Sequence, residues 1–142
     1  MIKSVVLGEE IVIATKNKVG LLADIASTMA AHGINIEAVA GYQAGSRGAR
    51  VLLVTNANLI MVRELKKKHY KVVKEAEVIL AELENRPGAL KIVTSELKKN
   101  KIDIKHMYVT SPATGGSSRM VLQTGDNETA MALLAKYSKD EQ

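Results

Sequence analysis

The chain has 142 residues, of which 46% are hydrophobic, and its formal net charge is +5. This hydrophobic content excludes a disordered chain and predicts a globular one. Because the chain has no cysteine, it cannot form disulfides, a thiolate nucleophile or a cysteine-based metal site. The first ten residues do not form a signal peptide and no apolar run is long enough to span a bilayer, so we expect a cytoplasmic protein without a membrane partner.

The positive charge lies in the first half of the chain. Residues 1–75 hold eleven Lys or Arg against six Asp or Glu, whereas residues 76–142 hold nine of each. The excess is concentrated in Arg63 and the run 66–71, which could mark a nucleic-acid surface or a solvated helix end. We favour the helix end because the run is short and the chain has neither Phe nor Trp for base stacking.

The same motif occurs twice, 68 positions apart. Residues 17–22 read Asn-Lys-Val-Gly-Leu-Leu, and residues 85–90 read Asn-Arg-Pro-Gly-Ala-Leu. The same offset carries Ile-Asn-Ile at residues 34–36 onto Ile-Asp-Ile at residues 102–104. A repeat of this length has the size of a small domain, so we predict two units that pack together.

Each repeat predicts the order strand, helix, strand, strand, helix, strand, which is a ferredoxin-like α+β arrangement. In residues 9–75 the predicted strands and helices, in chain order, are 10–15, helix 19–31, 34–42, 50–55, helix 58–68 and 70–74. In residues 76–142 they are strand 78–83, a helix with Pro87 at its first position, strands 102–110 and 119–124, and a helix capped by Asp126.

The two repeats differ at their ends. Residues 137–142 are too polar for a good closing strand, whereas residues 2–7 are apolar enough to be an extra one. This extra strand could complete the second unit beside residues 78–83. Alternatively, it could form a hairpin with residues 10–15 and leave residues 70–74 to pair with the second unit. We favour the first pairing.

The repeated motifs resemble the ACT domain, a small ligand-binding module of amino-acid metabolism. Residues 85–90 fit its Asn-x-Pro-Gly-x-Leu turn fully, and residues 17–22 lack only the Pro. Residues 33–36 fit its Gly-Ile-Asn-Ile segment, which residues 101–104 match at two positions. The chain resembles a stand-alone tandem of two ACT domains without a catalytic domain.

The resemblance implies two units side by side that form one eight-stranded antiparallel sheet with helices on one face. Amino acids would bind at the seam, between the first turn of one unit and the second strand of the other. Glycine at the turn allows close approach to a ligand, and the following helix N-terminus favours a carboxylate. The implied ligand-binding residues are Asn17, Val19, Gly20, Leu21, Asn35, Asn85, Pro87, Gly88, Ala89 and Asp103. Because Asp103 stands where the other repeat has Asn35, we expect unequal sites.

No pattern of residues predicts catalysis, a cofactor or a metal. The histidines at positions 32, 69 and 106 fall in no ligand spacing. The segment Gly-Gly-Ser-Ser at residues 115–118 precedes a predicted strand, whereas a phosphate loop precedes a helix. No nucleophile stands with a base, so we expect that the protein is not an enzyme.

The leading hypothesis is therefore a non-catalytic, allosteric amino-acid sensor that signals to a partner enzyme or regulator. The alternative is an ACT-fold interaction or dimerisation protein without ligand binding. A nucleic-acid-binding ferredoxin-like protein ranks third. The resemblance is also compatible with a homodimer.

Overall fold

The computed structural model describes residues 1–113 and 115–139. The strands among these residues are β1 (Ile2–Lys16), β2 (Ile36–Ala44), β3 (Gly48–Thr55), β4 (Val72–Glu84), β5 (Ile104–Thr110) and β6 (Ser117–Thr124). The helices are α1 (Leu21–Ala31), α2 (Asn58–Lys66), α3 (Ala89–Lys99) and α4 (Asn127–Lys139). None of these helices is both long and apolar enough to cross a membrane.

The described strands form one six-stranded sheet in the order β2-β3-β1-β4-β6-β5. The predicted fold class, two ferredoxin-like units that join in an eight-stranded sheet, is therefore wrong. The strand count falls because β1 runs through both predicted strands 2–7 and 10–15 without a turn. In the same way, β4 takes in both the end of the predicted strand 70–74 and the predicted strand 78–83.

Gly8 explains why the sequence suggested a break within β1. A Cβ atom at Gly8 would stand 2.5 Å from Leu80 Cδ1 and 3.1 Å from its Cγ, so a side chain there would require Leu80 to move. The glycine therefore marks a close approach inside a continuous strand and not a turn. Glu10, two residues further along the same strand, is fully buried.

The chain divides into two compact units, one made of Met1–Gly8 with Glu77–Gln142 and the other of Glu9–Ala76. The segment 2–7 thus belongs to the same unit as residues 77–142. Within that unit Ile2 is 1% exposed and is part of the core cluster with β4, α3 and β6. The amide N–H of Glu84 donates to the carbonyl oxygen of Met1 at 2.7 Å, which fixes the start of β1 beside the end of β4.

Each unit has its own apolar core under its helices. In Glu9–Ala76, α1 buries Leu21, Ile25 and Met29, whose i, i+4 spacing forms one helix face. The helical periodicity of residues 19–31 predicts Leu22, Ile25 and Met29 as the buried stripe, but Leu22 is 50% exposed. For α3 the same periodicity predicts a stripe of Leu90, Val93 and Leu97, but Ala89 is buried in place of Leu90, which is 44% exposed.

The helix ends also differ in part from the prediction. α3 begins at Ala89 after the N-cap residue Gly88, so Pro87 lies in the preceding turn and is not the first helical residue. The predicted cap at Asp126 is confirmed, because its Oδ1 accepts the Thr129 N–H at 3.1 Å. α4 extends through Lys139. The rest of the predicted polar end, residues 140–142, and Thr114, which lies between the predicted strands 102–110 and 119–124, lie outside the described residues.

Candidate functional site

A tight turn joins β1 to α1 in the unit Glu9–Ala76. Gly20 occupies the N-cap with φ +88° and makes no side-chain cap. This left-handed conformation favours glycine over every residue that has a Cβ. The turn is held by two main-chain bonds, from Asn17 N–H to the Arg47 oxygen at 2.7 Å and from Leu21 N–H to the Lys18 oxygen at 3.3 Å.

The turn forms one wall of an open cleft of about 410 Å³. The opposite wall comes from β2 and β3 of the same unit. The residues that line the cleft are Asn17, Lys18, Gly20, Leu21, Leu22, Ala23, Gly41, Tyr42, Gln43, Ala49, Arg50 and Val51. The volume is at the small end of the range for ligand sites, which suits a metabolite of amino-acid size.

Gly41 keeps the cleft open on the strand side. It pairs with Val51 in the register of β2 and β3. A Cβ at this position would lie 3.5 and 3.7 Å from the two Cδ atoms of Leu22, so a larger side chain would occupy the space under that residue. Gly41 is not among the predicted site residues, although a single glycine inside a predicted strand is itself a signal of close approach.

The chemistry of the cleft is set by the start of α1. The N–H groups of Leu22 and Ala23 stand at the second and third helical positions, where no intrahelical acceptor exists. Because the N-cap is glycine, no side chain satisfies them either. Free N–H groups and the positive helix end favour an anion such as a carboxylate, while Ala49 and Val51 provide apolar wall.

Three of the five residues predicted in this unit line the cleft: Asn17, Gly20 and Leu21. Val19 does not, and its side chain is fully exposed. Asn35 follows the other end of α1. Its N–H donates to Asn56 Oδ1 at 3.1 Å, and its carbonyl oxygen accepts the Asn56 N–H at 3.4 Å. These bonds hold the segment that leads from α1 into β2.

The predicted residues of the other unit lie in a different environment. The Asn85 amide donates from Nδ2 to the Pro112 oxygen at 3.2 Å. After Pro87 in the turn, Gly88 repeats the left-handed N-cap with φ +91°, but a Cβ there would lie 3.6 Å from Met1 Cε. Ala89, which begins α3, is buried.

Asp103 and strand β5 also differ from their counterparts in the first unit. The Asp103 carboxylate pairs with Lys105 Nζ at 3.0 Å, and its carbonyl oxygen accepts the Gly125 N–H at 2.9 Å. Val109 pairs with Met120 in the position where Gly41 pairs with Val51 in the first unit. A branched side chain therefore stands where the first unit has none. The two units therefore differ at Gly41 and Val109 as well as at Asn35 and Asp103, and the unequal affinity predicted from the sequence stays a prediction.

Metal binding finds no support in the described part of the chain, where no group of three or more His, Asp or Glu residues could hold an ion.

One part of the chain matches the model of a known protein family. Residues 10–73 match the model of the ACT domain. The match identifies one ACT domain, which contains the cleft, and the tandem of two ACT domains stays a prediction. No curated protein matches this chain.

Solved structures show the same fold. A protein from Bacteroides thetaiotaomicron is 20% identical, with a TM-score of 0.83 over 94% of this chain and 90% of that one. The regulatory subunit of aspartate kinase from Thermus thermophilus is 9% identical, with a TM-score of 0.66 over 95% of this chain and 97% of that one. The corresponding subunit from Thermus flavus is 14% identical, with a TM-score of 0.61 over the same shares, 95% and 97%.

Proposed function

We propose that this protein is a non-catalytic regulatory protein that binds an amino acid in the cleft at the start of α1. The observation that carries this proposal is the position of the cleft. It lies inside the ACT domain of residues 10–73, at the turn whose sequence resembles the ligand-binding turn of that family. Its main-chain N–H donors suit the carboxylate of a small amino acid, and its apolar wall suits the side chain of that ligand.

The proposed binding mode follows from the lining residues. The ligand carboxylate accepts the N–H groups of Leu22 and Ala23, with a favourable contribution of about 0.3–1 kcal/mol from the helix dipole. The Asn17 side chain makes no hydrogen bond within residues 1–113 and 115–139, so its amide oxygen is available to the ligand ammonium. The ligand side chain packs against Leu21 and Val51.

The proposed consequence of binding is a signal to a partner. Two of the structural neighbours are regulatory subunits of aspartate kinase. We extend that kind of role to this chain and propose a partner enzyme or regulator in amino-acid metabolism. Any such coupling is reciprocal, so the partner should change the affinity for the amino acid by the factor by which the amino acid changes the affinity for the partner.

A thermal-shift screen against the twenty amino acids tests the ligand. An amino acid present at 100 times its Kd should add about 2.7 kcal/mol to the unfolding free energy. Calorimetry with the amino acid found should then show weaker binding by Asn17→Ala. Asn85→Ala removes the equivalent amide in the other unit, where it already bonds Pro112, and should leave binding in this cleft unchanged.

An interaction protein without a ligand is the second candidate. It is favoured by the edge strand β2, on which Val39 and Tyr42 are 50% and 55% exposed. An edge strand with exposed apolar side chains is a surface on which another chain can pair. If no amino acid raises the melting temperature while sedimentation shows self-association, this second function replaces the first.

A further inference from the structure

A second cleft, of about 420 Å³, lies on another side of α1 in the unit Glu9–Ala76. Its walls are the outer surface of α1 and the segment that follows α2. The residues that line it are Lys18, Asp24, Ser27, Thr28, Ala31, His32, Lys68 and Tyr70. Lys18 is the residue that this cleft shares with the first one.

Of the two lysines that line this second cleft, one forms an ion pair within the described residues and the other does not. Lys18 Nζ lies 3.2 Å from Asp24 Oδ2, and this carboxylate is the only one that lines the cleft. Lys68 makes no ion pair with any residue that the structure describes, and it is exposed. The cleft therefore presents one cation whose charge is not neutralised nearby.

His32 forms a boundary of the cleft with its own partners. Its Nδ1 lies 2.9 Å from the Thr28 carbonyl oxygen, and its Nε2 lies 3.3 Å from Glu64 Oε2. Glu64 also accepts from Lys67 Nζ at 3.1 Å. Because both ring nitrogens of His32 already face acceptors, this side chain is not counted among the groups that would receive a ligand.

Hydroxyl groups complete the polar lining. Thr28 Oγ1 donates to the Asp24 carbonyl oxygen at 2.9 Å, whereas Ser27 and Tyr70 make no side-chain hydrogen bond within the described residues. Tyr70 packs partly against the core of its unit. Burial, and then the charge of Asp24, raises the pKa of its phenol, so the hydroxyl keeps its proton at neutral pH and can donate.

We propose that this second cleft binds the phosphate group of a small phosphorylated molecule through Lys68, Tyr70 and Ser27. An ammonium is a common phosphate-binding group, and two hydroxyl donors beside it match the several acceptor oxygens of a phosphate. A phosphate carries more negative charge and more acceptor oxygens than a carboxylate, so we expect it to bind this set of donors more tightly. The inference is independent of amino-acid binding in the first cleft.

Inorganic phosphate is the probe, added at constant ionic strength with chloride as the reference and acetate as a second anion. Binding is measured from the shifts of the backbone amides of α1 in NMR spectra. Lys68→Ala should weaken phosphate binding about tenfold or more, because a hydrogen bond to a charged group is lost. Tyr70→Phe should weaken it by a smaller factor, and Asp24→Asn should tighten it because the carboxylate that repels phosphate is removed.

Lys66→Ala is the matched control. It removes the same charge from the same basic run but from a residue that does not line the cleft, and it should change the affinity less than about twofold. Equal weakening by Lys66→Ala and Lys68→Ala would show diffuse attraction and overturn the proposal. It is also overturned if phosphate shifts the α1 amides no more than chloride does, or if acetate binds as well as phosphate. A failure of amino-acid binding in the first cleft would not affect this proposal. No variant changes Lys18, because Lys18 lines both clefts.

Discussion

The side-chain amide of Asn58 donates from Nδ2 to the carbonyl oxygen of Glu9 at 2.7 Å. Its Oδ1 accepts both the N–H and the hydroxyl of Thr55, at 2.9 and 2.8 Å. One side chain thus joins the start of α2 to β1 and to the end of β3. The other unit repeats the arrangement, with Asn127 bonded to the Glu77 oxygen at 3.0 Å and to Thr124 at 2.8 and 2.9 Å.

Asn58→Ala should therefore lower the unfolding free energy by about 1–3 kcal/mol, because it leaves partly buried polar groups of Thr55 without their acceptor. Asn127→Ala should have a similar effect in the other unit. Urea unfolding measures both. The control is Leu59→Ala, since Leu59 is 70% exposed and should change stability by no more than about 0.5 kcal/mol. Equal losses in Asn58→Ala and Leu59→Ala would contradict this role.

The sequence predicted the position of Asn58 but not its function. Helix-start preferences predict Asn58 as the cap of α2, whereas the N-cap residue is Ala57 and the Asn58 Oδ1 accepts the Thr55 N–H. Local patterns can locate such a residue because helix starts have strong preferences. They cannot reveal the bond to Glu9, because that partner lies 49 residues away and is placed by the tertiary fold.

Lys101 adopts a left-handed conformation with φ +56° directly after the C-cap of α3. Gly33 holds the equivalent position after α1 with φ +65°. A residue with a Cβ pays about 1–2 kcal/mol for this conformation. Lys101→Gly should therefore stabilise the protein by about 0.5–1 kcal/mol after the entropy of the unfolded chain is included.

Urea unfolding of three variants checks this prediction. Gly33→Ala should destabilise by about 1 kcal/mol, because it introduces the strain that Lys101 carries. Lys99→Gly, at the last residue of α3, should destabilise by up to about 1 kcal/mol because glycine is a poor helix former. The idea fails if Lys101→Gly is no more stable than the natural chain.

Stability should fall in acid because hydrogen bonds hold the pKa of several carboxyls low. The Tyr137 hydroxyl, which donates to Glu96 at 2.6 Å, is the main cause of the lowered pKa of Glu96. The bond from Lys67 is the main cause for Glu64, and the Thr129 bonds have this effect on Asp126. A carboxyl whose pKa is lower in the folded state stabilises the fold above its unfolded pKa, and this contribution is lost as pH falls through the folded pKa.

The melting temperature, measured from neutral pH down through 4.5, the ordinary pKa of Glu, tests whether acid lowers the stability. Tyr137→Phe should reduce the part of the acid loss that comes from Glu96. Tyr42→Phe removes a phenol hydroxyl that makes no hydrogen bond within the described part of the chain, and it should leave the pH profile unchanged. Parallel profiles for the natural chain and Tyr137→Phe would show that this bond does not contribute.

A substitution at Ile2 tests whether the first residues of β1 belong to the core that contains β4, α3 and β6. It is 1% exposed among residues of β4, α3 and β6, whereas Val6 on the same strand is 54% exposed. Ile2→Ala should lower the unfolding free energy by about 2–5 kcal/mol, the usual range for a large core side chain. Val6→Ala should cost much less. Similar urea midpoints for the two variants would mean that the start of β1 is frayed in solution.

The candidate cleft was predictable on one side only. The glycine turn and the helix start at residues 17–22 have strong local signals, so the sequence located that wall. The opposite wall depends on which strand lies beside α1, and register is set by the whole sheet. For this reason Gly41, Gln43 and Arg50 were missed, while Asn35, chosen from the family motif, lies at the other end of α1.

Gly41→Val should abolish or strongly weaken amino-acid binding and keep the fold. The substitution places in β2 the residue that the other unit has at the equivalent register position, Val109. Its Cβ would meet Leu22 at 3.5–3.7 Å, an ordinary contact, so the side chain fills the cleft without a clash at the backbone. Val39→Ile is the matched control, because it adds a methylene to the same strand outside the cleft. Calorimetry with the amino acid from the screen should show binding by Val39→Ile and not by Gly41→Val. If Gly41→Val binds that amino acid as the natural chain does, the ligand lies elsewhere and the cleft at the start of α1 is not its site.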